Sequence, residues 1–169
     1  MKESEQRKIF NEWLENYRAL LFKVIKAYAF SEEDQNDLFQ DVCIQMFRSV
    51  PNFKGNAAVS TWLYRIALNT AIKWSTREKK HVDGHQEMDK AAHILMASED
   101  SKDERVDWLY DQIKQFNEID RSLTLLLLDG FSYKEMSQMM GISESNIGVK
   151  IYRIKKILVN NSKQYEYGV

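Results

Sequence analysis

Proline and glycine are scarce in this chain of 169 residues, which contains one proline, Pro51, and six glycines. Since these two residues end helices and supply tight turns, a chain that nearly lacks them has few places at which to reverse direction. The scarcity argues against collagen-like and turn-dense all-β architectures. The sequence therefore predicts an all-α fold built from long helices.

Apolar residues recur at every third or fourth position along most of the chain, which is typical of amphipathic helices. In the N-terminal part this spacing predicts three helices, over residues 5–29, 31–50 and 60–80. Ser31 is placed to cap the second of them, with an acidic residue three positions later. The segment 51–59, which holds Pro, Asn and Gly, is predicted to be a loop.

The helical periodicity stops within residues 81–102, where acidic residues accumulate. This change indicates a linker between two small helical domains, which we expect over residues 1–80 and 103–160. After the linker, Ser101 is predicted to cap one helix and Asn117 to cap the next. Domains of this size have modest cores, so mutual packing or a partner is expected to help stabilise them.

The stretch 130–158 has the pattern of a helix-turn-helix unit. Ser132 and Glu135 have the spacing of a capping box, and Gly141 permits a tight turn before a second, basic helix. Such a helix can enter the DNA major groove, although a helical hairpin within an all-α core is the alternative. The segment after Leu158 is expected to be a frayed helix or a disordered end. The predicted DNA-contacting residues of the second helix are Glu144, Ser145, Gly148, Val149, Lys150, Tyr152, Arg153 and Lys156.

The formal net charge of −1 conceals an uneven distribution. Residues 64–81 carry five basic groups against one acidic group, residues 82–120 carry four against 11, and residues 121–169 carry seven against four. Two basic stretches around an acidic middle are typical of two anion-binding modules joined by a segment that avoids phosphate. Solvated helix faces would give the same pattern.

Residues suited to catalysis or metal binding are few. His81 and His85 have metal-ligand spacing, with His93 nearby, but they lie in or beside the predicted linker, and Cys43 is on an apolar helix row. We therefore expect no metal, no cofactor and no enzymatic activity. No apolar run approaches the roughly 18 residues of a membrane span, and the N-terminus is polar, so the chain is predicted to be cytoplasmic.

Several motifs occur in an order that resembles a known family. They are Asp37-Leu-Phe-Gln-Asp-Val42, Phe53-Lys-Gly55, Ser60-Thr-Trp-Leu-Tyr-Arg-Ile-Ala67 with Asn69, and the helix-turn-helix unit. Together they resemble the sigma-70 family of bacterial transcription initiation factors, and more narrowly its extracytoplasmic-function group. The resemblance implies a promoter-specificity factor that binds core RNA polymerase, recognises and melts promoter DNA and directs initiation.

The resemblance also implies roles for particular residues of the N-terminal domain. The helix over 31–50 would bind the clamp helices of the largest polymerase subunit through Asp37, Gln40, Asp41, Ile44, Gln45 and Arg48. The following loop would capture a base flipped from the minus-ten element, and the next helix would follow the single strand. The residues assigned to this element are Lys54, Asn56, Ala57, Ala58, Tyr64, Arg65, Asn69, Lys73 and Arg77. Trp62 and Trp74 lie on the apolar row and are predicted to belong to the core instead.

By the same resemblance the C-terminal domain would bind the minus-thirty-five duplex and the flap of the second-largest polymerase subunit. The linker would pass through the channel later taken by RNA, and an anti-sigma factor would hold the free protein inactive. Two alternatives remain: a stand-alone helix-turn-helix regulator, and an interaction protein that sequesters a partner through the helix over 31–50. The segment 53–80 favours the first interpretation, because a reader of double-stranded DNA does not need a strand-capturing loop before a basic helix.

Overall fold

The computed structural model describes residues 1–82 and 103–167, and within these ranges it contains α-helices and one short 3₁₀ turn but no strand. The all-α prediction is thereby confirmed. The chain divides into two compact units, Met1–Lys102 and Asp103–Val169. None of the helices in the described ranges is long and apolar enough to cross a membrane.

Within residues 1–82, the first unit is a bundle of three helices. They and the short turn are α1 (Glu3–Tyr28), α2 (Glu32–Ser49), the 3₁₀ turn (Val50–Asn52) and α3 (Val59–Val82). Each helix packs against the other two. The fully buried side chains Leu21, Ile25, Leu38, Met46, Leu63 and Leu68 come from all three helices and form one core. Burying apolar area of this kind is the main stabilising term for so small a unit.

Local sequence signals set the ends of these helices. The Ser31 hydroxyl accepts a hydrogen bond of 3.1 Å from the backbone amide of Asp34, so the predicted cap of α2 is confirmed. Pro51 lies in the 3₁₀ turn directly after α2, where its ring prevents the helix from continuing. The predicted loop therefore begins with a 3₁₀ turn and then runs irregularly to α3.

The second unit holds four helices. They are α4 (Glu104–Lys114), α5 (Glu118–Leu128), α6 (Tyr133–Met140) and α7 (Glu144–Tyr167). The predicted caps at Asn117 and Ser132 are confirmed, and Ser132 forms a reciprocal capping box with Glu135. Ser101, the predicted cap of α4, lies outside the described residues. Asp103 caps this helix instead, by accepting a 3.0 Å hydrogen bond from the amide of Arg105.

The C-terminal segment is helical, so of the two predicted alternatives the disordered end is wrong. Helix α7 continues beyond Leu158 to Tyr167, and contacts with another helix hold this part of it. The Asn161 side chain donates a 2.6 Å hydrogen bond to Gln112 Oε1, and the Tyr165 ring lies 5.7 Å from that of Trp108. Because both partners belong to α4, some 50 residues away in sequence, local sequence gave no sign that the tail would be held.

Arg121 joins α4 to α5 from a buried position. Its guanidinium donates hydrogen bonds to the carbonyl oxygens of Ile113, Lys114 and Phe116, at 3.3, 2.8 and 3.0 Å. These carbonyls lie at the C-terminal end of α4, where helical partners are missing. Arg121 thus closes the corner between the two helices and supports the surface on which the helix-turn-helix unit packs.

Candidate nucleic-acid interface

The loop before α3 is anchored at its first residue by aromatic rings. The Phe53 ring meets the Trp13 ring edge-on, with centroids 5.3 Å apart, and lies 5.6 Å from the Trp62 ring. The Trp62 indole donates a 3.4 Å hydrogen bond to the Ser49 hydroxyl at the end of α2. All three helices of the unit therefore fix the start of the loop.

Beyond Phe53 the loop is open to solvent. The exposed positions include every loop residue that was assigned to the minus-ten element, namely Lys54, Asn56, Ala57 and Ala58. Gly55 between them adopts φ +72°, a conformation that side chains rarely take. The loop thus exposes Lys54, Asn56 and two alanines beyond an anchored first residue.

The solvent face of α3 is a narrow stripe. Arg65, Asn69, Lys73 and Arg77 are exposed at successive positions four residues apart, so they align along one side of the helix. Three of these four side chains carry positive charge. The stripe follows directly from the loop and offers contacts to a chain of phosphates.

Tyr64, in contrast, is 1% exposed, and its prediction as an outward residue is wrong. The physical reason is that α3 packs against both α1 and α2. Its buried face is therefore wider than a single apolar row, and it includes position 64 beside Leu63 and Leu68. Tyr64 is a core residue and does not reach a bound strand.

The two tryptophans that were predicted to be core differ in environment. Trp74 is 4% exposed, which confirms its prediction, and within the described part of the chain its indole Nε1 has no hydrogen-bond partner. Trp62 is half-buried between the loop anchor and α2. Cys43 is half-buried, and burial raises the pKa of its thiol, which keeps it in the less reactive protonated form.

The polar face of α2 presents the residues assigned to polymerase binding. Asp37, Gln40, Ile44, Gln45 and Arg48 are exposed, and Asp41 is half-buried. Ile44 is an apolar side chain with 46% of its surface exposed among these polar neighbours. An exposed apolar residue within a polar rim is typical of a protein interface.

A groove of about 600 Å³ lies between α2 and α3, where the predicted polymerase surface meets the predicted DNA surface. Its lining includes Asp41 and Gln45 from the α2 face, and Lys73 and Arg77 from the α3 stripe. Arg77 Nη2 lies 3.0 Å from Asp41 Oδ2, so an ion pair crosses the groove. The two residues are 36 positions apart, and no local pattern in the sequence could have paired them.

The second unit contains the predicted helix-turn-helix unit as α6 and α7. Gly141 between them has φ +68°, the left-handed conformation that ends α6. Ser143 accepts a 3.2 Å hydrogen bond from the amide of Asn146 and so caps α7. Ile147 and Ile151 are buried in the inward row. The exposed members of the predicted DNA-contacting set are Glu144, Ser145, Val149, Tyr152, Arg153 and Lys156.

Two members of that set are less open than predicted. The Lys150 ammonium lies 3.8 Å from Asp120 Oδ1, so an ion pair ties α7 to α5. Gly148 is half-buried, and a β-carbon placed on it would lie 3.7 Å from the Tyr133 ring, an ordinary contact distance. The absence of a side chain at position 148 therefore leaves space between the two helices of the unit.

The three histidines with metal-ligand spacing lie at or beyond the end of α3. His85 and His93 lie outside the described residues. Within residues 1–82 and 103–167 no three metal-binding side chains come together.

Comparison with known proteins supplies the decisive observation. The sequence-family model for sigma-70 region 2 matches residues 13–81, and the one for sigma-70 region 4 matches residues 109–158. The chain belongs to the sigma-70 family. Region 2 corresponds to the three-helix bundle and region 4 to the unit with the helix-turn-helix. Sigma-70 proteins are non-catalytic initiation factors.

Curated relatives place the chain in the extracytoplasmic-function group of sigma factors. It is 26% identical to the extracytoplasmic-function sigma-E factor of Haemophilus influenzae over 168 residues, which cover 91% of this chain and 87% of the relative. Identity to the sigma-E factor of Escherichia coli strain K12 is 25% over 167 residues, with 91% and 86% covered. This sigma factor thus binds core RNA polymerase and promoter DNA and directs initiation.

Solved structures show the same fold. A sigma factor of Bartonella quintana, described as RpoE in complex with the anti-sigma factor NepR, matches with a TM-score of 0.73 and 19% identity, covering 92% of this chain and 98% of that one. CnrH in complex with the cytosolic domain of CnrY matches with a TM-score of 0.64 and 15% identity, covering 95% and 92%.

Proposed function

We propose that the sigma factor divides promoter recognition between its two units. The first, over residues 1–80, docks on core polymerase and opens the minus-ten element, and the second, over residues 103–160, binds the minus-thirty-five duplex. Residues 81–102 connect them. The observation that carries this proposal is the continuity of the anchored loop at 53–58 with the basic stripe of α3, since a flipped base and its flanking phosphates need both.

The loop is proposed to hold the flipped base. Extracting a base from the stack costs a few kcal/mol, so the pocket must be formed before the base arrives. The contacts among the rings of Trp13, Phe53 and Trp62 hold the start of the loop in place before DNA binds, which supports this role. Asn56 is the exposed loop side chain that carries both a hydrogen-bond donor and an acceptor, and it is our choice for reading the base edge.

The strand beyond the flipped base is proposed to lie along α3. Arg65, Lys73 and Arg77 would pair with phosphates, and Asn69 would donate a hydrogen bond to a base or sugar. Tyr64 has no part in this contact, because it is buried.

The exposed face of α2 is proposed to bind the clamp helices of core polymerase. Ile44 would be its apolar centre, and the polar and charged side chains around it would form the rim. Because a solved structure of this fold is a complex with an anti-sigma factor, we propose that an anti-sigma factor also binds this sigma factor. A protein that works with RNA polymerase is expected to act in the cytoplasm and to have no enzymatic activity of its own.

The second unit is proposed to enter the major groove with the N-terminal part of α7. Val149 and Tyr152 are exposed apolar contacts suited to thymine methyl groups, and Arg153 and Lys156 are placed for phosphates. The flap of the second-largest polymerase subunit would bind elsewhere on the same unit.

Run-off transcription tests the proposal. Core polymerase from the same organism should give a transcript from a cognate promoter when this protein is added. Neither component alone should give one. Tight duplex binding by the protein alone, without initiation, would instead indicate a stand-alone regulator.

The loop assignment is tested by Asn56→Ala. This variant should slow promoter opening about tenfold, as expected for one lost hydrogen bond, while the affinity for core polymerase stays unchanged. Permanganate reactivity of unpaired thymines measures the opening. Asn16→Ala, at an exposed position on α1, is the matched control and should open the promoter normally. Equal losses of opening and of polymerase binding would refute the role given to the loop.

A further inference from the structure

The ion pair between Asp41 and Arg77 connects two surfaces that the proposed function gives to different partners. Asp41 stands in the row of α2 that also carries Asp37 and Gln45, which faces polymerase. Arg77 ends the stripe of α3 that faces single-stranded DNA. The carboxylate and guanidinium are 3.0 Å apart, and both line the same groove.

A phosphate that binds the exposed side of Arg77 lies close to the Asp41 carboxylate as long as the ion pair is intact. Two anions beside one guanidinium repel each other, so the carboxylate lowers the affinity of that arginine for a strand. The same argument applies in reverse, because a basic side chain of polymerase that approaches Asp41 meets the Arg77 charge. The intact ion pair therefore weakens the binding of both DNA and polymerase.

We propose that Asp41 is a positioning residue whose ion pair weakens the contact of Arg77 with DNA as long as polymerase has not taken over the carboxylate. This inference rests on the proposed function. In the complex with polymerase the pair exchanges: Asp41 bonds a basic side chain of the clamp helices, and Arg77 turns to a phosphate of the minus-ten strand. Whichever partner binds first breaks the pair, so the second binds more tightly, and the coupling is reciprocal.

The strength of the pair suits such an exchange. The Arg77 side chain is 54% exposed and that of Asp41 is 36% exposed, so water screens their attraction. Half-exposed ion pairs of this kind contribute little to stability and can be replaced at small cost. Glu78 Oε1, 4.0 Å from Arg77 Nε, moves with Arg77 on the same helix and keeps it partly neutralised after the exchange. We therefore expect a coupling of about two- to fivefold in affinity.

The first test measures binding of the full-length protein to a labelled 12-nucleotide single-stranded DNA of mixed sequence, without polymerase. Asp41→Asn should raise the affinity about two- to fivefold, because it frees Arg77. Asp41→Glu, which keeps the charge, should restore the wild-type value. Glu33→Gln removes the same charge from an exposed position about 12 Å away along α2, and it should change the affinity much less.

Equal effects of Asp41→Asn and Glu33→Gln would overturn the proposal, because they would reflect net charge alone. An unchanged or lowered affinity of Asp41→Asn would also overturn it and would make the pair a purely structural tie between helices. Thermal unfolding of each variant shows that the compared proteins are folded.

The second test uses core polymerase and no DNA. Arg77→Gln should bind polymerase about two- to fivefold more tightly than the wild type, although the change removes a positive charge from the proposed DNA surface and adds none to the polymerase surface. Lys8→Gln, at an exposed position on α1, controls for net charge. Weaker or unchanged polymerase binding by Arg77→Gln would contradict the exchange.

The outcomes separate this inference from the proposed function. If the wild type directs run-off transcription but Asp41→Asn leaves strand affinity unchanged, only the exchange fails. If Arg77→Gln fails to weaken strand binding in the Asp41→Asn background, Arg77 is not a strand contact, and the assignment of α3 fails together with the exchange.

Discussion

Lys150 and Arg153 lie three residues apart on α7 and carry the same charge, but their surroundings differ. Arg153 is exposed, whereas Lys150 is half-buried with its ammonium 3.8 Å from Asp120 Oδ1. A lysine that already neutralises a carboxylate gains less from a phosphate than an exposed arginine does. Residue type and helix face alone do not distinguish the two positions.

This difference predicts distinct salt dependences. Arg153→Ala should reduce the slope of log K against log salt concentration by about 0.9 on mixed-sequence duplex DNA, since one phosphate contact is lost. Lys150→Ala should weaken binding with a clearly smaller change of slope. Fluorescence anisotropy between 50 and 200 mM salt, about the range over which such contacts respond, measures both. Equal slope changes would show that Lys150 leaves Asp120 when DNA binds.

Gly148 gives a prediction about stability. A β-carbon at this position would meet the Tyr133 ring at 3.7 Å, so the structure has room for alanine. Gly148→Ala should raise the free energy of unfolding in urea by up to about 1 kcal/mol, because alanine has the higher helix propensity. Gly141→Ala, at φ +68°, should destabilise the protein by about 1 kcal/mol and is the opposite control. A destabilised Gly148→Ala would mean that the Tyr133 ring cannot yield.

At the scale of elements, long-range contacts determine where helices end and where loops are anchored. Helix α7 continues past the helix-turn-helix unit because α4 supplies partners for Asn161 and Tyr165. The loop after α2 starts from a fixed point because Trp13 on α1 packs on Phe53. In both cases the supporting residue is about 40 to 57 positions away, beyond the reach of any local pattern.

The support of the tail can be tested with Tyr165→Ala. Loss of the ring contact with Trp108 should destabilise the second unit by about 1 kcal/mol, within the usual range for aromatic pairs. Urea denaturation followed by circular dichroism measures this change. Tyr152→Ala removes a tyrosine that is 67% exposed on the same helix and should leave stability unchanged. If the two variants are equally stable, the tail contributes nothing to the unit.

At the scale of the whole molecule, the net charge of −1 is the sum over segments of opposite charge. The basic stretch of residues 64–81 includes all four residues of the exposed α3 stripe, three of which are basic. The basic stretch of residues 121–169 includes the exposed cations of α7. Each compact unit carries its own core and its own proposed DNA surface. The two contacts should therefore contribute independently to promoter binding.

Independence predicts additivity. The effects of Asn56→Ala and Arg153→Ala on the free energy of the polymerase–promoter complex should add in the double variant to within about 0.5 kcal/mol, as is usual for separated sites. Filter binding of holoenzyme to a cognate promoter measures this free energy for the wild type, the two single variants and the double variant. A larger interaction energy would reveal coupling between the units through the polymerase or the DNA.

The sequence by itself determined what depends on near neighbours. Helix periodicity, the caps at Ser31, Asn117 and Ser132, and the turn at Gly141 were all predicted, because each rests on residues within a few positions of one another. The ordered motifs likewise sufficed to indicate the sigma-70 family. The individual DNA and polymerase contacts remain proposals.

Only the tertiary structure decided what depends on distant segments meeting. Burial of Tyr64 follows from two helices packing on α3, and the pairing of Asp41 with Arg77 follows from the approach of α2 to α3. The order of the tail follows from α4. A side chain's exposure and partners are set by neighbours in space, and helix packing brings these from tens of residues away, so local sequence patterns cannot specify them.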